Sequence, residues 1–206
     1  RRGGNKFDLQ PHETDITEQT KHIINSGGLT YDVFFNEYKH KLSVYGSAQH
    51  IDRNSYYGAG GDPNAYGKTK DLTAVGGAMY VGNMDNCLFS PATFTGGVEY
   101  QYNSLHDVMT GYQRDLQQNV KIASGFVQNE WKLDYFTILA GFRLDKHNLV
   151  DKVIFSPRIN TLWKPSDKFQ GRLTWSTGFR APQAYDEDLH VAAVGGEAME
   201  IRLAEG

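Results

Sequence analysis

F-Q-G-R-L-T-W-S-T-G-F-R-A-P, residues Phe169 to Pro182, alternates almost without error. Phe169, Gly171, Leu173, Trp175, Thr177 and Phe179 fall on one face of an extended chain, and Gln170, Arg172, Thr174, Ser176, Gly178 and Arg180 on the other. Successive side chains of a strand point to opposite sides, so this spacing predicts a strand across the segment. One face is apolar and aromatic, while the other carries two arginines that have to meet water. Lipid on one side and a wet interior on the other is the pattern of a membrane-barrel strand.

The same alternation recurs along the chain. Lys21 to Phe35 reads as a strand, with Ile23, Leu29, Tyr31, Val33 and Phe35 on one face. Leu42, Val44, Gly46 and Ala48 alternate with Ser43, Tyr45, Ser47 and Gln49. Leu72 to Gly82 is strand-like but ambiguous, because Val75, Met79 and Val81 spoil the polar face. Phe94 to Asn103, Lys121 to Leu133, Phe136 to Asp145 and Phe155 to Lys164 complete the series. Connections alternate in length. Short turns are expected near 36–41, 134–135 and 165–168, and long loops near 53–71, 104–119, 146–153 and 183–198. Membrane barrels have this asymmetry, with short periplasmic turns and long external loops. Trp131, Tyr135, Phe136, Trp163 and Phe169 sit beside the short turns, where an interfacial aromatic girdle belongs. The expected fold is all-β: an antiparallel up-and-down meander, about nine strands of a larger transmembrane barrel. A soluble β-sandwich binding or adhesin module is the alternative, since a sandwich strand also has one wet face.

Composition agrees with an all-β chain. The 206 residues include 22 glycines, 12 tyrosines and 11 phenylalanines but only 6 prolines. A net charge of −3 offers no basic field for nucleic acid. Mean hydropathy is −0.54, and no apolar run approaches the roughly 18 residues of a membrane helix. Barrel strands are only half apolar, so such averages say nothing against them. The single cysteine, Cys87, excludes an internal disulfide and reads as an inert thiol.

Catalytic motifs fail on inspection. Gly61 to Thr69, G-D-P-N-A-Y-G-K-T, is one residue too long for a phosphate-binding loop and precedes a strand rather than a helix. His12-Glu13 opens like a zinc-protease helix, but Ile16 stands where the second histidine belongs. No G-x-S-x-G elbow occurs, and the chain is not expected to be an enzyme or to hold a resident cofactor.

Four segments in order, F-V-Q-N-E-W (Phe126 to Trp131), A-G-F-R-L-D (Ala140 to Asp145), F-S-P-R-I-N (Phe155 to Asn160) and T-G-F-R-A-P (Thr177 to Pro182), resemble the C-terminal half of a TonB-dependent outer-membrane receptor barrel. D-E-D-L-H-V followed by V-G-G-E-A looks most like receptors of Bacteroidetes-type bacteria. The resemblance implies a place in the bacterial outer membrane, within a plugged barrel of about 22 strands. It implies uptake of a scarce nutrient such as a ferric siderophore, haem or cobalamin, energised by the TonB system through an N-terminal plug. Implied partners are outer-membrane lipid, the nutrient ligand and a candidate surface lipoprotein. Residues 1–206 are then a partial barrel without a plug, incomplete at both ends. The opening R-R-G-G-N and the closing Glu205-Gly206 suggest the same.

Candidate substrate contacts lie in the expected loops. Tyr56, Tyr57, Tyr66 and Tyr112 could grip a large ligand with flat amphipathic faces, or simply pack loops. Arg180, Asp186, Glu187, Asp188 and His190 form a polar stretch beside the last strand. Asp186, Asp188 and His190 are candidate cation ligands, because hard cations prefer carboxylate oxygen; a solvated charged loop is the blander alternative.

Overall fold

Eight long segments of alternating sequence pair into one continuous sheet in the computed structural model, which describes residues 2–3, 9–14, 16–58 and 60–179. The strands are β1 (Arg2–Gly3), β2 (Ile16–Phe35), β3 (His40–Tyr57), β4 (Tyr66–Cys87), β5 (Ser90–Met109), β6 (Arg114–Lys132), β7 (Phe136–His147), β8 (Ile154–Ser166) and β9 (Phe169–Ser176). Their order in space is their order in sequence, and every neighbouring pair is antiparallel. This is the up-and-down meander that the alternation predicts. Among the described residues the sheet is open, with β1 and β9 at its edges.

Cross-strand partners share a face, so the register sorts every side chain. One row runs Tyr31, Val44, Ala78, Val98, Gly125, Leu144 and Phe155. The facing row on the other side runs Thr30, Tyr45, Gly77, Glu99, Ser124 and Asp145. The arginines of β3 to β9 (Arg53, Arg114, Arg143, Arg158 and Arg172) all lie on the polar face. Leu29 is 78% exposed, Leu173 75% and Val98 61%. A sandwich would bury these side chains beneath a second sheet, but the described strands form only one. Among the described residues no second sheet covers the apolar face.

The strands are longer than the sequence suggests. β4 has 22 residues, roughly 70 Å at about 3.3 Å per residue. About 9–11 tilted residues cross a bilayer. The rest projects beyond the apolar band, and the segments expected as long loops at 53–71 and 104–119 are largely strand. Their connections shrink to 58–65 and to a 3-10 turn, Thr110–Tyr112. The last strand is shorter than expected: pairing stops at Ser176, although Thr177 N–H still donates to the Pro157 carbonyl at 3.2 Å.

At the opposite end the connections are tight. Lys39 N–H donates to the Asn36 carbonyl at 3.0 Å within the connection 36–39, in which Asn36, Glu37 and Tyr38 all take positive φ, 52°, 52° and 66°. That is the primed geometry whose twist suits a hairpin. A further turn, Leu88-Phe89, joins β4 to β5. Rings crowd this end. Phe35, His40, Tyr80 and Phe94 follow one another at 5.3, 5.9 and 6.2 Å between centroids. Phe89 stacks on Trp131 at 5.6 Å, and Phe136, Trp163 and Phe169 form a further chain at 6.5 and 5.6 Å. Of the five residues expected as a girdle, Trp131, Phe136, Trp163 and Phe169 take part in these contacts beside the tight turns. Lys39 reaches Asp85 at 2.7 Å, tying the first turn to the end of β4 and holding the Asp85 carboxyl below its usual range.

Candidate functional site

Midway along the polar face, three strands meet at one carboxylate. Gly77 of β4 lies between Tyr45 of β3 and Glu99 of β5. A Cβ at Gly77 would stand 2.7 Å from the Tyr45 ring and its hydroxyl, so the glycine lets that ring cross β4. Tyr45 Oη then donates to Glu99 Oε2 at 2.8 Å. From β7, Arg143 closes the group. Its Nη2 reaches Glu99 Oε1 at 3.1 Å and Ser124 Oγ at 2.7 Å, and its Nε reaches Asp145 Oδ1 at 2.7 Å. Ser124 Oγ donates in turn to Asp145 Oδ1 at 2.6 Å. The guanidinium thus bridges two carboxylates through separate charge-assisted hydrogen bonds. The neighbouring Gly97 leaves room in the same manner for the Phe126 ring, 2.8 Å from where its Cβ would be. Val75, Met79 and Val81 share this face, which is why the alternation of β4 is blurred.

A second network lies on the same face, further toward the long-strand ends. Arg53 donates to Thr69 Oγ1 through Nε at 3.1 Å and Nη2 at 2.8 Å, and its Nη2 stands 3.5 Å from Asp107 Oδ1. The Thr69 hydroxyl donates to the same Asp107 oxygen. Arg114 holds Asp107 Oδ2 at 2.8 Å. Arg53, Thr69 and Asp107 are all buried, so β3, β4, β5 and β6 are locked together well beyond the apolar band.

The four candidate tyrosines converge. Tyr56 and Tyr57 end β3, Tyr66 opens β4 and Tyr112 lies in the 3-10 turn, so three of them are strand residues rather than loop residues. Tyr56 and Tyr66 are cross-strand partners with rings 4.9 Å apart. Tyr56 is buried with Ile16 and Ala65, and Tyr112 packs against that cluster. Tyr112 Oη donates to the Tyr57 carbonyl at 2.9 Å. Tyr66 Oη pairs with His12 Nδ1 at 3.0 Å. Burial raises the Tyr66 phenol, and burial followed by the Asp62 charge raises that of Tyr112. Tyr56 therefore packs this outer hub, while Tyr66 keeps an exposed edge. Arg180, Asp186, Glu187, Asp188 and His190 lie outside the described residues. Among the described residues no three histidine, cysteine, aspartate or glutamate side chains converge as a metal site.

Reading residues one strand at a time places Arg143 on the polar face but does not reveal that Tyr45, Glu99, Ser124 and Asp145 surround it. The available signal was Gly77, a gap on a polar face beside a tyrosine.

A single meander with an apolar band, a ring of aromatics at its tight-turn end and ion pairs on its inner face defines a segment of a membrane-barrel wall. The chain belongs to the TonB-dependent receptor-like β-barrel family, whose family model matches residues 2–197. That family comprises receptors and transporters rather than enzymes. The crystal structure of the siderophore receptor PirA from Pseudomonas aeruginosa is similar, with a TM-score of 0.68 at 17% identity. The likeness covers 82% of this chain and 29% of that one, and at this identity it shows the fold. The chain thus spans under a third of that receptor's length. No curated protein matches it.

Proposed function

We propose that this chain is part of the wall of an outer-membrane receptor that imports a scarce nutrient using energy delivered by TonB. The observation that carries this reading is the two-sided sheet. Its apolar face is bare and girdled by aromatics, while its inner face holds Arg143, Glu99 and Asp145 in a fixed hydrogen-bonded group. The charged side would line the route of the substrate, and a plug would close that route. The substrate class is a ferric siderophore, haem or cobalamin. The similarity to a siderophore receptor supports the first of these. Tyr57, on the polar face, and Tyr112, bonded to it, would meet the ligand at the mouth, while Tyr56 and Tyr66, on the outward face by register, would brace that end of the wall. The segment with Arg180, Asp186, Glu187, Asp188 and His190 would supply charge, a cation site or a seat for a surface lipoprotein at the same mouth.

The test is deletion of the full-length gene, followed by growth on single sources of iron or cobalamin. Loss of growth on ferric siderophore alone, restored by the intact gene, is the expected result. Undiminished growth on every iron, haem and cobalamin source, with the protein absent from outer-membrane fractions, would overturn the reading.

A further inference from the structure

The wall drops by a step between β6 and β7. Residues Arg114 to Lys121 of β6 pair with β5 throughout, but β7 ends at His147, opposite Ile122. Asn148 closes that ladder with its side chain. Its backbone N–H donates to the Lys121 carbonyl at 3.0 Å, its Oδ1 accepts from Lys121 N–H at 2.7 Å, and its Nδ2 donates to the Asn119 carbonyl at 2.8 Å. Lys121 therefore turns both its amide and its carbonyl toward the β7 side. Backbone groups two residues apart in an antiparallel strand share a direction, so those of Asn119, Gln117 and Asp115 turn the same way. Among the described residues, the N–H groups of Asp115, Gln117 and Asn119 and the carbonyls of Asp115 and Gln117 have no hydrogen-bond partner. All three residues are exposed. The strands on both sides of β6 are described, so this open edge belongs to the fold and not to an end of the chain.

Amides and carbonyls that repeat at every second residue, roughly 6–7 Å apart, match another extended backbone. Asn148 bounds this edge below and the Thr110–Tyr112 turn bounds it above, leaving room for about five residues of added strand. The usual blocks to edge pairing are missing: 115–119 holds no proline, no lysine and no bulge. Charge then narrows the choice. Asp115 is 64% exposed on the outward face, with Val108 as its register partner on β5 and His106 at 3.0 Å. A basic side chain on the incoming strand would face it directly, the arrangement that favours opposite charges. Resting on the receptor reading above, which puts this end outside the cell, we propose that residues 114–119 take an antiparallel strand from a second polypeptide at the cell surface, with a lysine or arginine facing Asp115. The added strand follows the course that β7 would take if it continued. Its alternate side chains meet Leu116 and Gln118 on the inner face, and Asp115, Gln117 and Asn119 on the outer one.

The experiment uses the intact receptor in detergent and a capped hexapeptide, Val-Lys-Val-Thr-Val-Thr, at millimolar concentration. Hydrogen exchange at the amides of Asp115, Gln117 and Asn119 should be fast in the free receptor and slow with the peptide. Methylating the peptide's lysine and threonine amides, which would face β6, should abolish protection; methylating the valine amides should not. Replacing the peptide's lysine by glutamate should weaken binding about five-fold, and Asp115→Lys in the receptor should reverse that preference. Gln117→Pro removes a donor that points away from β5, so it should lose the peptide while the receptor keeps its heat-dependent gel mobility. Equal binding of the two methylated peptides, no added protection over 115–119, or a Gln117→Pro receptor that binds like the parent would each overturn the proposal. Slow exchange of these amides without peptide would also overturn it, because another segment of the receptor would then hold the edge. Whole-cell labelling at Asn64 tests the receptor reading separately. Access to Asn64 only after rupture of the outer membrane would overturn that reading and the cell-surface partner with it, whatever the peptide does in detergent.

Discussion

Tyr112 donates its hydroxyl to the carbonyl of Tyr57 at 2.9 Å, joining the connection after β5 to the end of β3. Gly111 makes the approach feasible, since a Cβ there would stand 2.1 Å from the Asn64 carbonyl oxygen. Two hairpins that emerge separately from the sheet are thus one unit at their tips.

Tyr112→Phe should keep the packing and lose the hydrogen bond, costing about 1 kcal/mol. Hydrogen exchange over 58–65 should quicken while exchange in the β5 and β6 strands stays unchanged. Gly111→Ala should do more, because the clash is with backbone. The phenol of Tyr112 is raised in the folded protein, so it binds its proton more tightly folded than unfolded. Its contribution is complete below the ordinary tyrosine value of about 10 and is lost as pH climbs through the higher folded value. A fall in the denaturant midpoint above about pH 10, absent in Tyr112→Phe, checks this.

The faces of β7, β8 and β9 were legible because each alternates within the apolar band, where lipid and water impose opposite demands. Beyond the band both faces are wet. His50, Asp52, Lys68 and Lys70 then erase the alternation, so strand continuing past the membrane read as loop. The Leu88-Phe89 turn was hidden because it lacks glycine, proline or asparagine; Leu88 takes φ 68° without them. The Arg143 group was hidden for another reason. Its members come from β3, β5, β6 and β7, and only the register, not the spacing, brings Tyr45 and Glu99 together across 54 positions.

Val98 lies in the middle of the apolar band, between Phe94 and Tyr102 on β5, and is 61% exposed. Val98→Arg should cost roughly 2–4 kcal/mol in unfolding of the intact receptor from vesicles. Gln101→Arg, on the polar face three positions along, should be close to neutral. Equal penalties at both positions would reverse the assignment of faces.

Glu37 and Tyr38 follow Asn36 in the left-handed conformation at the centre of the connection 36–39, and that conformation disfavours side chains with a Cβ. Glu37→Asn with Tyr38→Gly supplies the residues that such turns prefer. Tyr38 also lies 5.5 Å from Phe34, a contact that glycine would lose. Glu37→Asn alone should therefore stabilise by about 0.5–1 kcal/mol, and the double change by little more. Denaturant midpoints of the intact receptor in vesicles separate the two. A destabilised Glu37→Asn would mean that the carboxylate has a role in this turn that outweighs the backbone.

Arg143 bonds to both Glu99 and Asp145, and 37% of its side chain remains exposed on the polar face. Arg143→Met removes the shared cation and leaves two carboxylates facing each other across β6. A fully buried pair broken in this way costs about 3–5 kcal/mol; partial solvation should reduce that to roughly 1–3. Glu99→Gln in the Arg143→Met background should restore part of the loss, because the orphaned charge is then gone while Tyr45 can still donate to the amide oxygen. The double change should thus cost less than the sum of the singles, the sign of a direct interaction. Glu99→Gln alone should cost less than Arg143→Met, since Asp145 still neutralises the guanidinium. The measurement is a double-mutant cycle of urea unfolding on the intact receptor in vesicles, at low and high salt. Strict additivity at low salt would show that Arg143 acts on Asp145 and Ser124 alone, and that the bridge from β7 to Glu99 on β5 does not hold the wall together.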